Sequence, residues 1–245
     1  MGKAIVIASG KGGTGKTTAT AAISSCLANA GKRVLCIDAD AGLKNLDLCL
    51  GLSDRAVLDF GDVINGRCRL DSAVIAHPDI PRLFFLTAPL EPISAPGEAE
   101  GLARLIRFVK DIFDYCVIDS PAGLGPGFTA AASAADCAVI VSASDPSSCR
   151  DSGRVVMELK EMGMEDIRLV VNRVRKSILF RTKQTIDDAV DSIGARLLGI
   201  VPEDRQVILA ASAQTPLLLH GDSAALAAFE RIARRVDGER IPVQF

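Results

Sequence analysis

Residues 9–18, SGKGGTGKTT, contain the residue types that bind a polyphosphate, at the spacing that this chemistry needs. They complete the pattern G-x-x-x-x-G-K-[ST], in which backbone N–H groups surround the phosphates. Lys16 is predicted to reach the β- and γ-phosphates, and the Thr17 hydroxyl to ligate Mg²⁺. The residues predicted to contact the nucleotide here are Gly10, Lys11, Gly12, Gly13, Thr14, Gly15, Lys16, Thr17 and Thr18.

Three aspartates stand where they could support the metal ion and the reaction. Asp119 follows the apolar run FDYCVI, and Asp38 and Asp40 follow the run VLCI. Carboxylates support Mg²⁺ in phosphoryl-transfer sites, so we predict that Asp119 holds the ion through water, with Asp38 assisting. Asp40 begins the next loop, where a carboxylate can orient the attacking water.

Lys11 is a second lysine in a loop whose phosphates are already served by Lys16 and by the backbone. A long cation at the mouth of the site can face the nucleotide of another subunit, in the manner of an arginine finger. A solvated lysine on an exposed loop would show the same spacing. The pattern alone therefore leaves both interpretations of Lys11 open.

Short β-rich runs recur along the chain and alternate with helix-like segments. Most runs are continuously apolar, as expected for strands that are covered on both faces. The predicted strands are residues 4–9, 33–38, 83–88, 115–120, 137–143, 168–173 and 197–202. Composition and periodicity predict helices over residues 17–30, 98–113 and 223–236.

This alternation predicts a doubly wound α/β fold, with a mostly parallel sheet and helices on both faces. No internal repeat or long linker divides the sequence, so we expect one domain over residues 1–245. Ligands of such sheets bind beyond the carboxyl ends of the strands. The polar residues gather at those ends: Gly10 to Thr17, Asp38, Asp40, Asp119, Asp145, Asn172, Glu203 and Asp204.

The composition is that of a globular protein without a global basic field. Hydrophobic residues make up 49% of the 245 residues and the net charge is −2, so contact with nucleic acid or an anionic membrane would need a local patch. The seven cysteines include no C-x-x-C pair, which argues against a metal centre or a redox dithiol. With no secretory signal and no run of roughly 20 apolar residues, the sequence predicts a cytoplasmic protein.

The order K-G-G-x-G-K-T-T, here KGGTGKTT at residues 11–18, is the deviant Walker A motif and resembles the ParA/MinD superfamily of nucleotide-switched dimeric P-loop ATPases. Further segments are similar to the MinD branch of that superfamily. DADAGLKNLDLCLGL (38–52) resembles its switch I region, and DSPAG (119–123) resembles its Walker B and switch II regions. SSCRDSGR (147–154) and VPEDRQV (201–207) also resemble that branch. ParA partition proteins more usually continue the second strand as D-x-D-P-Q-G, which this sequence lacks.

The resemblance implies a slow, partner-stimulated ATP hydrolase that uses ATP and Mg²⁺. ATP would close a homodimer in which Lys11 acts across the interface, and hydrolysis would release it. Lys16 would bind phosphate, Asp40 would position the water, and Asp119 would support the metal. The adenine would lie against Asn172 and the loop that contains Pro202, Glu203 and Asp204.

The resemblance also implies a role in positioning the division septum, with partners similar to the division regulators MinC and MinE. MinD proteins end in a short amphipathic helix that lies in the membrane interface. This sequence ends in GERIPVQF, and we expect no such tail. The helix predicted at 223–236 is expected to pack on the sheet. Either the membrane anchor was lost or removed, or this protein reaches the inner membrane surface through a partner.

Two alternative functions fit the sequence. A ParA-like partition ATPase that binds DNA non-specifically is supported by the basic segment RVRKSILFRTK (173–183), which could contact phosphates. Its basic residues are Arg173, Arg175, Lys176, Arg181 and Lys183. A MinD-related regulator of flagellar number is the second alternative, and the sequence distinguishes it poorly from a division-site ATPase. Because a solvated loop would carry the same charges, we favour the division-site role over DNA binding.

Overall fold

The computed structural model describes residues 2–41, 44–91, 96–175 and 185–244. The strands are β1 (Lys3–Ala8), β2 (Val34–Asp38), β3 (Ile75–Ala76), β4 (Leu83–Leu86), β5 (Tyr115–Asp119), β6 (Cys137–Ser142), β7 (Ile167–Val174) and β8 (Arg196–Pro202). The helices are α1 (Lys16–Asn29), α2 (Leu46–Leu50), α3 (Phe60–Ile64), α4 (Leu70–Ala73), α5 (Pro96–Val109), α6 (Pro126–Ala134), α7 (Pro146–Glu161), α8 (Ile186–Ile193), α9 (Arg205–Ser212), α10 (Leu217–His220) and α11 (Ala224–Val236).

The described strands form one sheet in the order β3-β4-β2-β5-β1-β6-β7-β8. Every pairing is parallel except that of β3 with β4, which confirms the predicted doubly wound, mostly parallel fold. Each of the seven runs predicted as strands is a strand here. The antiparallel edge strand β3 was not predicted, because a pair of residues is too short to show a period.

The sheet is covered on both faces, and β1 shows why its sequence is continuously apolar. Ile5 and Ile7 are buried in the core shared with α1 and α11. Ala4 and Val6 are buried in the opposite core, beneath α5, α6 and α7. Successive side chains of a strand point to opposite faces, so a strand buried on both sides needs an apolar residue at every position.

The predicted helix 98–113 is wrong at its carboxyl end. The helix ends at Val109, and the backbone N–H groups of Ile112 and Phe113 donate to the Val109 carbonyl in a tight turn. Phe113 then packs edge-on against Phe84 of β4, with ring centroids 5.3 Å apart. Tertiary packing of this aromatic side chain ends the helix four residues earlier than the apolar periodicity indicates.

The helix predicted at 223–236 is α11, and its apolar stripe packs on the sheet as expected. Ser223 caps its amino end by accepting a hydrogen bond from the Leu226 N–H. Leu226, Phe229 and Ile232 are buried against α1 and β8. Within the ranges that the structure describes, no helix is long and apolar enough to cross a membrane.

Candidate functional site

The segment between β1 and α1 forms a glycine-rich turn that packs closely on its neighbours. Gly13 and Gly15 have φ angles of 80° and 89°, which favour glycine. A Cβ on Gly15 would lie 2.4 Å from Nδ2 of Asn172. A Cβ on Gly10 would lie 2.2 Å from the backbone carbon of Asp151 in α7. The glycines therefore allow the turn to approach both β7 and α7.

The turn has the features that a polyphosphate requires. A Cβ on Gly12 or Gly13 would meet no atom within 4 Å, so this side of the loop is open. The Thr14 hydroxyl is buried and has no hydrogen-bond partner among the described residues. The turn leads into the amino end of α1, which has no acidic residue in its first turn. Free N–H groups and a helix amino end favour an anion here.

Asp119, at the end of β5, holds the two side chains that were predicted to bind phosphate and Mg²⁺. Lys16 donates from Nζ to Asp119 Oδ1 at 2.7 Å, and Thr17 donates from its hydroxyl to Oδ2 at 2.7 Å. The Thr20 hydroxyl lies 3.0 Å from Oδ1. The carboxylate of Asp40 is 3.8 Å from the Lys16 Nζ. These predicted residues therefore lie together in one cluster.

Asp38 lies beside Asp119, at the same register position on the neighbouring strand β2. Its carboxylate accepts hydrogen bonds from the N–H groups of Asp40, at 2.9 Å, and Leu46, at 3.4 Å. Burial and the nearby charge of Asp119 raise the pKa of Asp38 to about 7. Burial also raises the pKa of Asp40, against the opposing effect of Lys16. Asp38 thus positions the loop that carries Asp40.

The three predicted metal-binding residues, Thr17, Asp38 and Asp119, come together at this edge of the sheet. Among the residues that the structure describes, no group of three or more His, Cys, Asp or Glu side chains could hold a metal ion. Mg²⁺ usually keeps several waters and binds through one or two carboxylates and substrate phosphates. The site therefore fits Mg²⁺ bound together with a nucleotide.

A cavity of about 610 Å³ opens beside the phosphate-binding turn. It contains all the residues predicted to contact adenine: Asn172, Pro202, Glu203 and Asp204. Val207, Ile208 and Phe229 add apolar walls, as a planar base requires. Asn172 donates from Nδ2 to the Thr14 carbonyl at 2.8 Å, which joins this cavity to the turn.

The carboxylates of Glu203 and Asp204 are already engaged by protein groups. Arg175 donates from Nη2 to Glu203 at 2.6 Å. Asp204 caps α9 by accepting from the Gln206 N–H at 2.9 Å, and it accepts from the Ala225 N–H at 3.0 Å. Both residues line the cavity, but their carboxylates serve to hold its wall.

Arg173 belongs to the basic segment 173–183 that was predicted as a possible DNA contact, but it lies in this site. Its φ is 56°, and its guanidinium donates to the Gly13 carbonyl at 3.1 Å and lies 3.9 Å from Glu203. Its position directly after Asn172, at the carboxyl end of β7, could have indicated this role. Of the same basic segment, Lys176, Arg181 and Lys183 lie outside the described residues.

Lys11 and Lys16 occupy opposite environments although both belong to one turn. Lys16 is buried, whereas Lys11 is exposed at the mouth of the site. In the described part of the chain, Lys11 forms no ion pair with a carboxylate. The pKa of Asp145, at the start of α7, is lowered mainly by a hydrogen bond from Ser148. The positive charge of Lys11 lowers it further.

Comparisons with known proteins agree with this geometry. Residues 5–217 match the family model of the CobQ/CobB/MinD/ParA nucleotide binding domain. The septum site-determining protein MinD of Bacillus subtilis (strain 168) is 39% identical over an alignment of 247 residues, which covers 100% of this chain and 92% of that protein.

Solved structures of MinD proteins share the whole fold. In the MinC:MinD cell division protein complex of Aquifex aeolicus, a chain with 37% identity matches with a TM-score of 0.90, covering 99% of this chain and 98% of that one. MinD of Pyrococcus horikoshii OT3, complexed with Mg-ADP, is 30% identical with a TM-score of 0.85, covering 97% of each chain. This chain therefore belongs to the MinD family of septum site-determining ATPases, within the CobQ/CobB/MinD/ParA nucleotide-binding domains.

Proposed function

We propose that this protein is a single-domain ATP-dependent switch that closes as a homodimer around two ATP–Mg²⁺ molecules and hydrolyses them slowly until a partner stimulates it. The observation that supports the dimer is the contrast between the two lysines. Lys16 is buried, whereas Lys11, five residues earlier in the same loop, is exposed. A cation in that position can serve a second copy of the chain.

Within one subunit, the residues that would hold ATP–Mg²⁺ are those gathered around Asp119. Lys16 would exchange its bond to Asp119 for the phosphates, and the Thr17 hydroxyl would face the metal. Asp119 and Asp38 would then support the ion through water, as carboxylates do for Mg²⁺. Bound Mg²⁺ neutralises the negative charge of the phosphates during transfer. The Pyrococcus horikoshii relative is complexed with Mg-ADP, which supports the binding of a magnesium nucleotide by this chain.

Asp40 is the residue proposed to orient the attacking water. Its side chain is 17% exposed and lies 3.8 Å from the Lys16 Nζ, next to the phosphate-binding turn. Its raised pKa makes it a better proton acceptor than a free aspartate. Lys11 of the opposite subunit would stabilise the charge that develops on the transferred phosphate.

The adenine is proposed to occupy the cavity between Asn172 and α9. Val207, Ile208 and Phe229 supply apolar contacts, and the Asn172 amide lies at the junction with the phosphate-binding turn. Pro202, Glu203 and Asp204 would shape the wall on the far side.

A MinC-like division regulator is the proposed partner, because the Aquifex aeolicus relative forms a MinC:MinD complex. Through such a partner the protein would act at the inner face of the membrane. The ParA-like alternative loses support because Arg173 and Arg175 bond within the site.

Sedimentation velocity with Mg²⁺ tests the proposal. The wild-type protein is expected to be monomeric with ADP and dimeric with a non-hydrolysable ATP analogue, whereas Lys11→Ala stays monomeric with both. Fluorescence-detected nucleotide binding, measured on the same samples, shows that the variant is loaded. A wild-type protein that remains monomeric when saturated with the analogue, at high concentration, would refute the proposed dimer.

A further inference from the structure

Thr20 is a buried hydroxyl that touches the central carboxylate of the site and belongs to no sequence motif. It lies one helical turn after Lys16 in α1 and is 0% exposed. Its Oγ1 is 3.0 Å from Asp119 Oδ1 and 3.0 Å from the Lys16 carbonyl. A buried threonine within a helix can satisfy its hydroxyl through the preceding turn alone. The additional contact with Asp119 therefore calls for an explanation.

Nucleotide binding is expected to affect the three hydrogen-bond partners of Asp119 differently. Oδ1 is shared by Lys16 and Thr20, and Oδ2 accepts from Thr17. The proposed function draws Lys16 to the phosphates and Thr17 to the metal, so both lose their bonds to Asp119. The Thr20 hydroxyl is fully buried one helical turn beyond Lys16 and also lies 3.0 Å from the Lys16 carbonyl, so its position is fixed by α1 itself. It is thus the donor that stays.

We propose that Thr20 is a positioning residue for Asp119, which keeps the carboxylate aligned for Mg²⁺ when Lys16 and Thr17 leave it. This inference rests on the proposed nucleotide site. Residues that orient a metal-supporting group through a hydrogen bond affect metal affinity by about 10–100-fold when they are replaced. Removal of the hydroxyl should weaken the contribution of Mg²⁺ and leave the binding of nucleotide without metal unchanged.

The test measures the dissociation constant of a fluorescent ADP analogue in excess EDTA and in excess Mg²⁺. The constant in EDTA divided by the constant in Mg²⁺ gives the factor by which Mg²⁺ strengthens nucleotide binding. Thr20→Val keeps the shape of the side chain without the hydroxyl and should lower this ratio about tenfold, with the constant in EDTA within about twofold of wild type. Thr20→Ser restores a hydroxyl and should restore the ratio.

Ser24 offers a matched control one turn further along the same helix. Its hydroxyl is also 0% exposed, but it contacts the sulfur of Cys36 at 3.3 Å and not Asp119. Ser24→Ala should keep the wild-type ratio. A lowered ratio in Ser24→Ala, or a wild-type ratio in Thr20→Val, overturns the role of Thr20.

Thr20→Ala covers the case in which Thr20→Val does not fold, because alanine is the best helix former and α1 is rich in it. The same outcomes apply to it. A wild-type protein in which Mg²⁺ does not strengthen ADP binding overturns the proposed site itself, and the inference with it. That result is seen without any variant, so the two failures are distinguishable.

Discussion

The Nζ of Lys16 and Oδ1 of Asp119 lie 2.7 Å apart, and the two side chains are only 7% and 1% exposed. Each of these two charges is the main compensation for the other. A buried charge that loses its partner destabilises the protein strongly. Nucleotide binding must therefore replace the carboxylate at Lys16 by phosphate at the same time as it provides a cation for Asp119.

Lys16→Ala tests this pair in two ways. The variant should lose about two orders of magnitude in affinity for ADP and ATP, because a charged hydrogen bond to phosphate is lost. Its free energy of unfolding without nucleotide should fall by about 3 kcal/mol, because Asp119 stays buried without its cation. Nucleotide titration and urea unfolding measure the two effects.

Lys3→Ala is the matched control for the unfolding measurement. Its ion pair with Asp166 has both side chains about a third exposed, with an N–O distance of 3.4 Å. Such a pair contributes at most about 1 kcal/mol. Tight nucleotide binding by Lys16→Ala would contradict the assignment of the phosphate loop.

Lys11→Ala should bind ADP and ATP with nearly wild-type affinity, because Lys11 is exposed at the mouth of the turn. Its turnover should fall about a thousandfold, the lower range for loss of a cation supplied across an interface. Steady-state phosphate release, measured at several protein concentrations, gives the turnover. Wild-type turnover in a strictly monomeric sample of the variant would remove the proposed role across the interface.

Asp40→Ala should retain bound ATP but lose about two orders of magnitude in turnover, because the carboxylate that orients water is missing. The ATP-bound dimer should then persist, which size-exclusion chromatography after incubation with ATP and Mg²⁺ can detect. Asp71→Ala removes an exposed carboxylate in the first turn of α4, outside the site, and should leave turnover unchanged. Normal turnover in Asp40→Ala would exclude the assignment.

The stability of the nucleotide-free protein should fall as pH rises through the titration of Asp38. Burial and Asp119 raise the pKa of this carboxyl from 3.8 to about 7, so between these values the folded chain holds a proton that the unfolded chain releases. In this range the folded state binds more protons than the unfolded state, so the free energy of unfolding decreases as pH rises. Titration of this group should lower the free energy of unfolding by about 2–3 kcal/mol between pH 5 and pH 8.

Asp38→Asn provides the comparison, because it cannot titrate. Urea unfolding of both proteins at pH 5 and pH 8 should show that wild type loses more stability than the variant over this range. An equal loss in both would mean that Asp38 does not hold its proton in the folded state.

Gly10→Ala and Gly12→Ala form a matched pair for the packing of the phosphate-binding turn. A Cβ at Gly10 would meet the α7 backbone at 2.2 Å, whereas at Gly12 it would meet nothing within 4 Å. Gly10→Ala should lower the free energy of unfolding by about 1–3 kcal/mol. Gly12→Ala should change it by at most about 0.5 kcal/mol. Similar values for both variants would contradict the close approach of the turn to α7.

The sequence predicted the sheet well because its strands are buried on both faces. In β1, for example, Ala4 to Ala8 are all apolar and all buried, as expected for a parallel strand that is covered on both faces. The end of α5 was predicted wrongly, because the packing of Phe113 against Phe84 is a contact between distant segments. Local periodicity contains no information about such contacts.

The phosphate-binding turn was recognisable because its chemistry needs a fixed local spacing. Arg173 and Thr20 were not predicted as residues of this site, for a different reason. Each acts through a group far away in the chain, Arg173 on the Gly13 carbonyl and Thr20 on Asp119. Only the parallel register of the strands brings these partners together, so no short pattern contains both members of either pair.

One amide, that of Asn172, spans the boundary between the base cavity and the turn around the phosphates by donating to the Thr14 carbonyl. The Asn172 side chain therefore links the wall of the proposed adenine cavity to the backbone of the phosphate-binding turn. If adenine binds in this cavity as proposed, a base that fits it poorly would also weaken the binding of its own phosphates, and selectivity for the base would appear in the rate of hydrolysis as well as in affinity.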